Sequence, residues 1–390
     1  MTDQPTSSVG PEIPLERGMQ QGLAKITTPS ESTALRTGLF TLGSSLIAIV
    51  IALAISALLL WATGKNPWDA FSKISSTATD SDKLLETMLR ATPLIFSATA
   101  VAVGFKMNLF NIGVEGQYLF AALIAATVGS RVNLWSPLHV LFILFVAMAA
   151  GAFWAGIAAV LKVTRGVNEV ISTIMLNYIA LSIIQWLFEN WFRDNEAQGL
   201  NVKTKLIPAS GRMPDIVDGR LGGMFLVALL VSFLYWVLVF KSRFGFRLRS
   251  SGLNSGAAKT SGIGANRMIV IALLISGAIA GLVPMQNMLS EVYSYGPNAT
   301  PTQLGFAGIA VALLGRNHPV GIVTAALLFG FLDSTSAELQ LAGIPSSIVK
   351  VMQAIIVLTV VIVNEAAIRR LNKRTAERTA ARLVMVGAPA

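Results

Sequence analysis

Long apolar runs dominate this sequence, and they restrict most strongly the folds that it can adopt. Six runs are long enough to span a bilayer, which takes about 20 residues of helix. They lie at 39–63, 137–161, 170–188, 222–240, 268–289 and 346–364. Shorter, glycine-interrupted runs lie at 91–105, 117–135, 304–316 and 319–332. The sequence therefore predicts an all-α polytopic membrane protein with about ten transmembrane helices, some of them short or broken.

The basic residues predict how these helices are oriented. With an even number of spans, every strongly basic loop falls on one face, and the positive-inside rule makes that face cytoplasmic. Both termini are then expected in the cytoplasm. The expected organisation is a polar, disordered tail at 1–36, a transmembrane domain at 37–365 and a basic tail at 366–390.

Charge and composition exclude several classes of protein. The net charge of +10 does not indicate nucleic-acid binding, because the basic residues flank apolar segments, where they orient the chain and contact lipid headgroups. The chain has no cysteine, and two histidines are too few for a histidine-rich metal site. A phosphate-binding loop needs glycine directly before lysine, whereas two alanines separate Gly256 from Lys259. We therefore expect no catalytic residue, metal or cofactor on this chain.

One polar stretch interrupts the apolar pattern between two of the short runs. It reads KMNLFNIGVEGQ and carries Asn108, Asn111, Glu115 and Gln117. A carboxylate inside a bilayer is costly unless it is paired or hydrated. Two hypotheses follow. Either the stretch is a broken helix that lines a translocation path, or Glu115 pairs locally or accepts from free backbone N–H groups and only fixes the helix break.

Further polar residues lie inside the longer runs. Asn168 and Glu169 precede the run at 170–188 and are expected to cap the N-terminus of its helix. Asn177 lies deeper, where a contact between helices is the leading interpretation and a contact with solute the lesser one. Gln286 and Asn287 are candidates for the solute path.

Two patterns of glycine carry expectations about packing and symmetry. Gly277 and Gly281 form a GxxxG spacing, which predicts close helix packing. Residues 91–126 and 304–330 are both short, glycine-rich and interrupted. Paired broken segments in corresponding halves of a chain point to a pathway at the interface between two repeats.

The most basic loop lies at 241–267 and carries six basic residues and no acidic one. The positive-inside rule holds it on the cytoplasmic face. Its middle, from Leu253 to Ile263, is rich in small residues and predicts a short helix that lies on the membrane. A membrane domain needs such an element if a soluble motor is to push on it.

Three segments together resemble a known family. They are FNIGVEGQ at 110–117, NEVISTIMLNYIA at 168–180 and SGLNSGAAKTSGI at 251–263. Over residues 37–365 the chain resembles permease subunits of bacterial ABC importers in the ribose and branched-chain amino acid group, most of all the nucleoside and simple-sugar branch. The resemblance implies two permeases, here a related heterodimer, two cytoplasmic ATPases and an extracytoplasmic binding lipoprotein, assembled at the cytoplasmic membrane.

The resemblance also implies a coupling helix, formed by the loop with the Gly-x-Asn-x-x-Ala-Ala pattern and seated in a groove of the ATPase. Its residues here are Gly252, Asn254, Ala257, Ala258, Lys259, Gly262 and Ile263. The flanking Arg247 and Arg249 suit headgroups or acidic residues of the ATPase. The family usually has proline or an acidic residue where Ser255 and Gly256 stand. ATP and Mg²⁺ are expected on the ATPase.

The function that follows is nucleoside import by an ABC transporter. One alternative keeps this machine and changes the cargo to a simple sugar such as ribose or galactose. Another class is an ion-coupled secondary carrier, which would need a paired carboxylate buried in mid-span. Asp333 and Glu291 lie at membrane edges instead. A membrane-embedded enzyme is disfavoured because no catalytic constellation is found.

Overall fold

The structure is a computed structural model of the chain, and it describes residues 50–195, 202–217, 221–297 and 300–386. The described residues are mainly helical. One two-stranded antiparallel sheet pairs β1 (Asp215–Val217) with β2 (Leu221–Gly222). The tail predicted at 1–36 and the start of the run at 39–63 lie outside the described residues.

The described helices include every predicted apolar run, at least in part, and further helices that were not predicted. They are α1 (Val50–Ala62), α2 (Pro67–Thr79), α3 (Ser81–Phe105), α4 (Val114–Arg131), α5 (Ser136–Arg165), α6 (Glu169–Leu187), α7 (Met224–Trp236), α8 (Arg243–Leu253), α9 (Ser255–Thr260), α10 (Ala265–Gly281), α11 (Met285–Ser290), α12 (Leu304–Leu314), α13 (Pro319–Leu341) and α14 (Ser346–Val386). Single π-helical turns extend α6 over Phe188–Phe192 and α7 over Val237–Lys241.

Among the described residues, seven helical segments are long and apolar enough to cross a membrane. They involve α3, α5, α6, α7, α10 with α11, α13 and the first part of α14. The shorter apolar helices α1, α4 and α12 coincide with the remaining predicted runs. The protein is thus an all-α polytopic membrane protein with short and broken helices, apart from the small sheet. The total of ten spans and the side on which the termini lie stay predictions.

The chain divides into two compact units. The larger unit is Ala54–Leu358 and contains the hydrophobic core. The described part of the smaller unit comprises residues 50–53 and 359–386 and is helical throughout. The boundary predicted at residue 365, between membrane domain and basic tail, falls inside the continuous helix α14.

Helix α3 lies at the centre of the larger unit and packs against α7, α10, α12 and α13. It begins at Ser81, well before the apolar run at 91–105, because its charged first turns are paired. Glu86 accepts from Lys83 at 3.3 Å and from Arg90 at 2.6 Å, and Lys83 also reaches Glu338 on α13 at 3.2 Å. Helical i, i+3 and i, i+4 spacing brings such pairs together.

Helices α5 and α10 pack closely against each other, and glycine makes this approach possible. A Cβ atom at Gly277 would lie 2.5 Å from the carbonyl oxygen of Gly151, closer than van der Waals contact allows. Gly281 approaches the backbone of Ala147 in the same way. The close packing predicted from the GxxxG spacing is confirmed.

Basic residues from distant parts of the chain meet at one end of the bundle. Gly252 packs on the backbone of Met107, the Lys106 ammonium lies 4.9 Å from the ring centre of Phe240, and the Phe240 and His318 rings are 5.5 Å apart. The other described basic residues of this end are Lys162, Arg165, Lys241, Arg243, Arg247, Arg249, Lys259, Arg267 and Arg316. We call it the basic end, and the positive-inside rule predicts that it faces the cytoplasm.

Candidate solute pathway and coupling helix

The polar stretch between α3 and α4 is held by a closed set of hydrogen bonds. Asn111 and Gln117 exchange two bonds between their amides, at 3.1 and 2.9 Å. The Asn111 amide also donates to Ser276 Oγ at 2.8 Å and accepts from the Gly113 N–H at 3.1 Å. Both amide side chains are buried. Because their donors and acceptors are used internally, these side chains fix the turn and join it to α10.

Asn177 on α6 also forms hydrogen bonds to the turn between α3 and α4. Its Oδ1 accepts from the Gly116 N–H at 2.9 Å, and its Nδ2 donates to the Ile112 carbonyl at 3.0 Å. A Cβ atom at Gly116 would lie 2.9 Å from the Asn177 Cα, so only glycine allows this approach. The interpretation of Asn177 as a contact between helices is confirmed.

Glu115 is buried and accepts three hydrogen bonds. The donors are the Tyr118 hydroxyl at 2.8 Å, the Gln303 N–H at 2.5 Å and the Gly305 N–H at 2.8 Å. Gln303 is the N-cap of α12, where the first N–H groups of a helix lack partners and the helix dipole favours a negative charge. The structure thus shows the bonding that the second hypothesis expected. The second hypothesis placed these backbone N–H groups at the helix break beside Glu115, whereas the donors lie at the start of α12.

Asn108 and Asn168 mark helix ends. Asn108 is exposed and adopts φ 57° in the turn that follows α3, while the Leu109 N–H donates to the Gly104 carbonyl at 3.0 Å and closes that helix. Asn168 Oδ1 accepts from the Val170 N–H at 2.9 Å, which confirms the predicted cap of α6. The sequence did not show the partner of Glu169. Its carboxylate lies 2.6 Å from the Lys162 ammonium at the end of α5.

The second break follows α10, and its polar groups are arranged differently. Gln286 is buried, and neither atom of its amide has a hydrogen-bonding partner among the described residues. The same holds for Asn287 Oδ1 and Ser290 Oγ. Asn287 uses only its Nδ2, which donates to Glu291 at 3.1 Å. Each unpaired buried group costs about 1–3 kcal/mol.

A cavity of about 340 Å³ opens beside this second break, between the first half of α3, α11, α13 and the start of α12. Its lining residues are Glu86, Leu89, Arg90, Pro93, Val283, Pro284, Gln286, Asn287, Glu291, Pro301, Leu304 and Asp333. We call it the α3–α11 cavity. It lies in the half of the bundle away from the basic end, because α3 enters it with its first turns and reaches the basic end with its last.

Charged groups of both signs line the α3–α11 cavity. The Arg90 guanidinium holds Glu86 through two bonds, at 2.9 and 2.6 Å. Asp333 accepts from the Gln353 amide at 3.0 Å. Glu86 and Arg90 were not predicted as site residues, since they precede the apolar run at 91–105. Glu86, Arg90 and Pro93 are spaced i, i+4 and i+7 and therefore lie on one face of the helix. This spacing could have indicated them as site residues in the sequence.

The basic loop folds as predicted into a short helix, α9. The Asn254 side chain caps it by accepting from the Ala257 N–H at 3.0 Å. Gly262 adopts φ +75° directly after it, and the Ile263 N–H donates to the Ala258 carbonyl at 2.9 Å. This left-handed glycine closes the helix, which therefore stands as a compact element between α8 and α10.

The predicted coupling residues divide into two sets. The exposed set consists of Arg247, Asn254, Ala257, Lys259 and Gly262. The remaining residues face the permease itself. Ala258 is 3% exposed, Ile263 packs against the core, and Gly252 lies on Met107. Leu253 is 89% exposed beside α9, and the sequence analysis had not assigned it a role.

Arg249 also points inward. Its guanidinium donates to the Val239 carbonyl and lies 5.6 Å from the ring centre of Phe240. Burial and the neighbouring Arg249 charge lower the pKa of Lys106, which shares this ring. The Arg249 side chain is therefore bound to the end of the bundle beneath the loop, and the Lys106 ammonium lies beside the same ring.

Comparisons with known proteins identify the family. The family model described as "Branched-chain amino acid transport system / permease component" matches residues 83–361. The guanosine ABC transporter permease protein NupP of Bacillus subtilis (strain 168) is 36% identical over 318 residues, covering 81% of this chain and 91% of the relative. The nucleoside ABC transporter permease protein NupB of Lactococcus lactis subsp. cremoris is 32% identical over 321 residues, covering 80% and 88%.

A third relative has a different cargo in its name. The glucose ABC transporter permease protein TsgB13 of Haloferax volcanii is 31% identical over 329 residues, covering 81% of this chain and 86% of the relative. No solved structure matches the chain. Family and relatives make the chain a non-catalytic membrane subunit whose family implies ATPase and binding-protein partners. The chain belongs to the permease family of the branched-chain amino acid type, within the ABC transporters.

Proposed function

We propose that this chain carries nucleosides across the cytoplasmic membrane of a bacterium, as one permease of an ABC importer. The observation that carries the proposal is the similarity to NupP and NupB over most of their length, at 36% and 32% identity. The polar cavity at one end of the bundle and the exposed helix α9 at the other support it. An importer needs an entrance for solute on one side and an attachment for the motor on the other.

The proposed mechanism couples these two ends. The exposed face of α9 docks in a groove of the cytoplasmic ATPase, which binds ATP and Mg²⁺. Closure of the ATPases moves α9, and the bundle changes the side on which the solute path is open. A binding lipoprotein docks on the opposite end, and a second, related permease completes the path. ATP and binding protein bias one equilibrium from opposite sides, so each affects the other's affinity.

Simple-sugar import is the second candidate. It is favoured by the similarity to TsgB13, which is a glucose permease by name. A sugar and the ribose of a nucleoside both present neighbouring hydroxyl groups, so the polar lining of the α3–α11 cavity suits either. Membership of the ABC permease family removes the ion-coupled secondary carrier, which has no ATPase.

Uptake of labelled solutes by cells with and without the gene tests the function. We expect loss of guanosine and adenosine uptake in the deletion strain, and the same loss in wild-type cells depleted of ATP. Loss of glucose or ribose uptake alone would replace the first candidate with the second. Unchanged uptake of every nucleoside and sugar tested would overturn the assignment of cargo.

The coupling role of α9 predicts the effect of a bulky residue on its exposed face. Ala257→Trp should reduce ATP-driven uptake more than tenfold and prevent co-purification of the ATPase. The tryptophan would fill the groove that a small side chain fits, while the exposed position leaves the permease folded. Thr164→Trp, at the exposed end of α5 on the same basic end, is the control and should leave both readouts unchanged. Normal uptake by the Ala257→Trp variant would contradict the coupling role.

A further inference from the structure

The unpaired amide of Gln286 is a buried polar group that the packing of the bundle does not explain. The side chain is 3% exposed, and both of its amide atoms lack a partner among the described residues. A leucine of similar volume would fill the site without this cost, because replacing an unsatisfied polar group by an apolar one is neutral or stabilising. The amide is therefore available to a ligand that enters the cavity beside it.

The surroundings of Gln286 leave room for such a ligand. The residue lines the α3–α11 cavity, whose volume of about 340 Å³ lies within the range of about 300–1,000 Å³ for small-molecule sites. On the side of β2, a Cβ atom at Gly222 would come within 3.4 Å of Gln286 Nε2 and 2.5 Å of Ser290 Oγ. The contact with Ser290 would be too close, whereas the one with Gln286 would be an ordinary van der Waals contact, so glycine keeps this wall of the site open beside the two side chains.

We infer that the α3–α11 cavity is a solute subsite in which the Gln286 amide binds the base of a neutral nucleoside. This inference rests on the proposed function and identifies Gln286 as a residue that recognises the base of the solute. A glutamine amide offers a donor and an acceptor side by side, which match the adjacent donor and acceptor on the edge of a nucleobase. The free Oδ1 of Asn287, the next residue, supplies a second acceptor.

The charges of the cavity set the class of solute. Three carboxylates, those of Glu86, Glu291 and Asp333, line it together with one guanidinium, that of Arg90. Arg90 is held by Glu86 through two bonds, and the described lining residues include no second cation that could bind a phosphate. The net negative charge repels phosphorylated solutes, whereas carboxylates accept hydrogen bonds from ribose hydroxyl groups. The cavity therefore admits nucleosides and excludes nucleotides.

The test compares two substitutions of buried and exposed amides in the assembled transporter. Gln286→Leu should lower guanosine uptake at least tenfold and leave the Tm of the purified complex unchanged or higher. Gln185→Leu is the matched control, because Gln185 lies on α6 beside a different cavity and is exposed. It should change neither readout. A lower Tm for Gln286→Leu with normal uptake per folded molecule would overturn the inference and assign the residue a structural role.

The exclusion of phosphorylated solutes from the α3–α11 cavity is tested separately. With the purified complex, unlabelled guanosine should displace labelled guanosine and guanosine 5′-monophosphate should not. Glu291→Gln combined with Asp333→Asn should let the monophosphate compete at least tenfold better. Equal competition by the monophosphate in the wild-type complex would overturn the assignment of the cavity.

The proposed function and the role of Gln286 can be contradicted by different results. If wild-type cells take up no nucleoside, the proposed function falls and this inference falls with it. If wild-type cells take up guanosine and Gln286→Leu cells do so equally well, only the assignment of Gln286 falls.

Discussion

The two breaks in the helix bundle use similar residues in opposite ways. Between α3 and α4, the amides of Asn111 and Gln117 bind each other, and Asn111 also binds Ser276. After α10, both amide atoms of Gln286 and the Oδ1 of Asn287 have no partner among the described residues. The buried amides of the first break are hydrogen-bonded, and the second break leaves donors and acceptors unused beside a cavity.

The difference separates residues that hold the bundle from residues that remain available for cargo. An internal bond between buried polar groups contributes about 0.5–1.5 kcal/mol, whereas an unpaired buried group costs about 1–3 kcal/mol. Substitution at the first break should therefore destabilise the protein. At the second break it should spare stability and change transport. Polarity alone made both breaks candidates for the path, and only their hydrogen bonds distinguish them.

The largest expected effect comes from Glu115→Gln at the first break. Glutamine loses the negative charge and turns an NH₂ group towards backbone N–H groups of Gln303 and Gly305, which Glu115 now binds. Hydrogen bonds to charged groups contribute about 1.5–3 kcal/mol each, so we expect a loss of about 3 kcal/mol and a clear fall in folded protein. Quantitative membrane expression and thermal unfolding in detergent measure it.

The control for this substitution is Glu189→Gln, because Glu189 is exposed and its bond to the Gln185 amide is local. It should leave expression unchanged. Full abundance of the Glu115→Gln protein together with an altered preference among nucleosides would contradict the structural role and return Glu115 to the solute path.

A smaller effect is expected from Gly222→Ala, which probes the second break without removing a polar group. The added methyl would press on Ser290 and approach the Gln286 amide. Because Ser290 can turn away, the cost in stability should be about 1 kcal/mol or less. We expect guanosine uptake to fall several-fold with normal amounts of protein. Uptake equal to wild type would show that the end of the Gln286 side chain does not need this space.

Local patterns in the sequence predicted most of the helices and made Gln286 and Asn287 candidates for the solute path, but they did not predict the cavity or its other lining residues. Hydropathy placed the apolar runs, the GxxxG spacing predicted close helix packing at Gly277, and Asn168 marked the start of α6. The helix α2 was missed, because it is short and polar on one face. The first turns of α3 were also missed, because their charged residues lower the mean hydropathy. An average of hydropathy does not show that these charges are paired at i, i+4 spacing.

Partners that are distant in sequence could not be predicted. Glu115 binds the start of α12, 188 residues further along the chain, and no local pattern indicates which backbone N–H groups a carboxylate will meet. The same limit applies to α9. Its composition predicted a helix, but which alanine faces outward depends on how the loop packs, and Ala258 turns inward while Ala257 is exposed.

The most direct test of the account is the effect of guanosine on the thermal stability of the purified complex, in wild type and in the Gln286→Leu variant. A ligand at 100 times its Kd stabilises the folded state by about 2.7 kcal/mol. The account predicts a clear rise in Tm for wild type and for Gln185→Leu, and none for Gln286→Leu at the same concentration. An equal rise in all three proteins would contradict the claim that the unpaired amide of the second break binds the cargo.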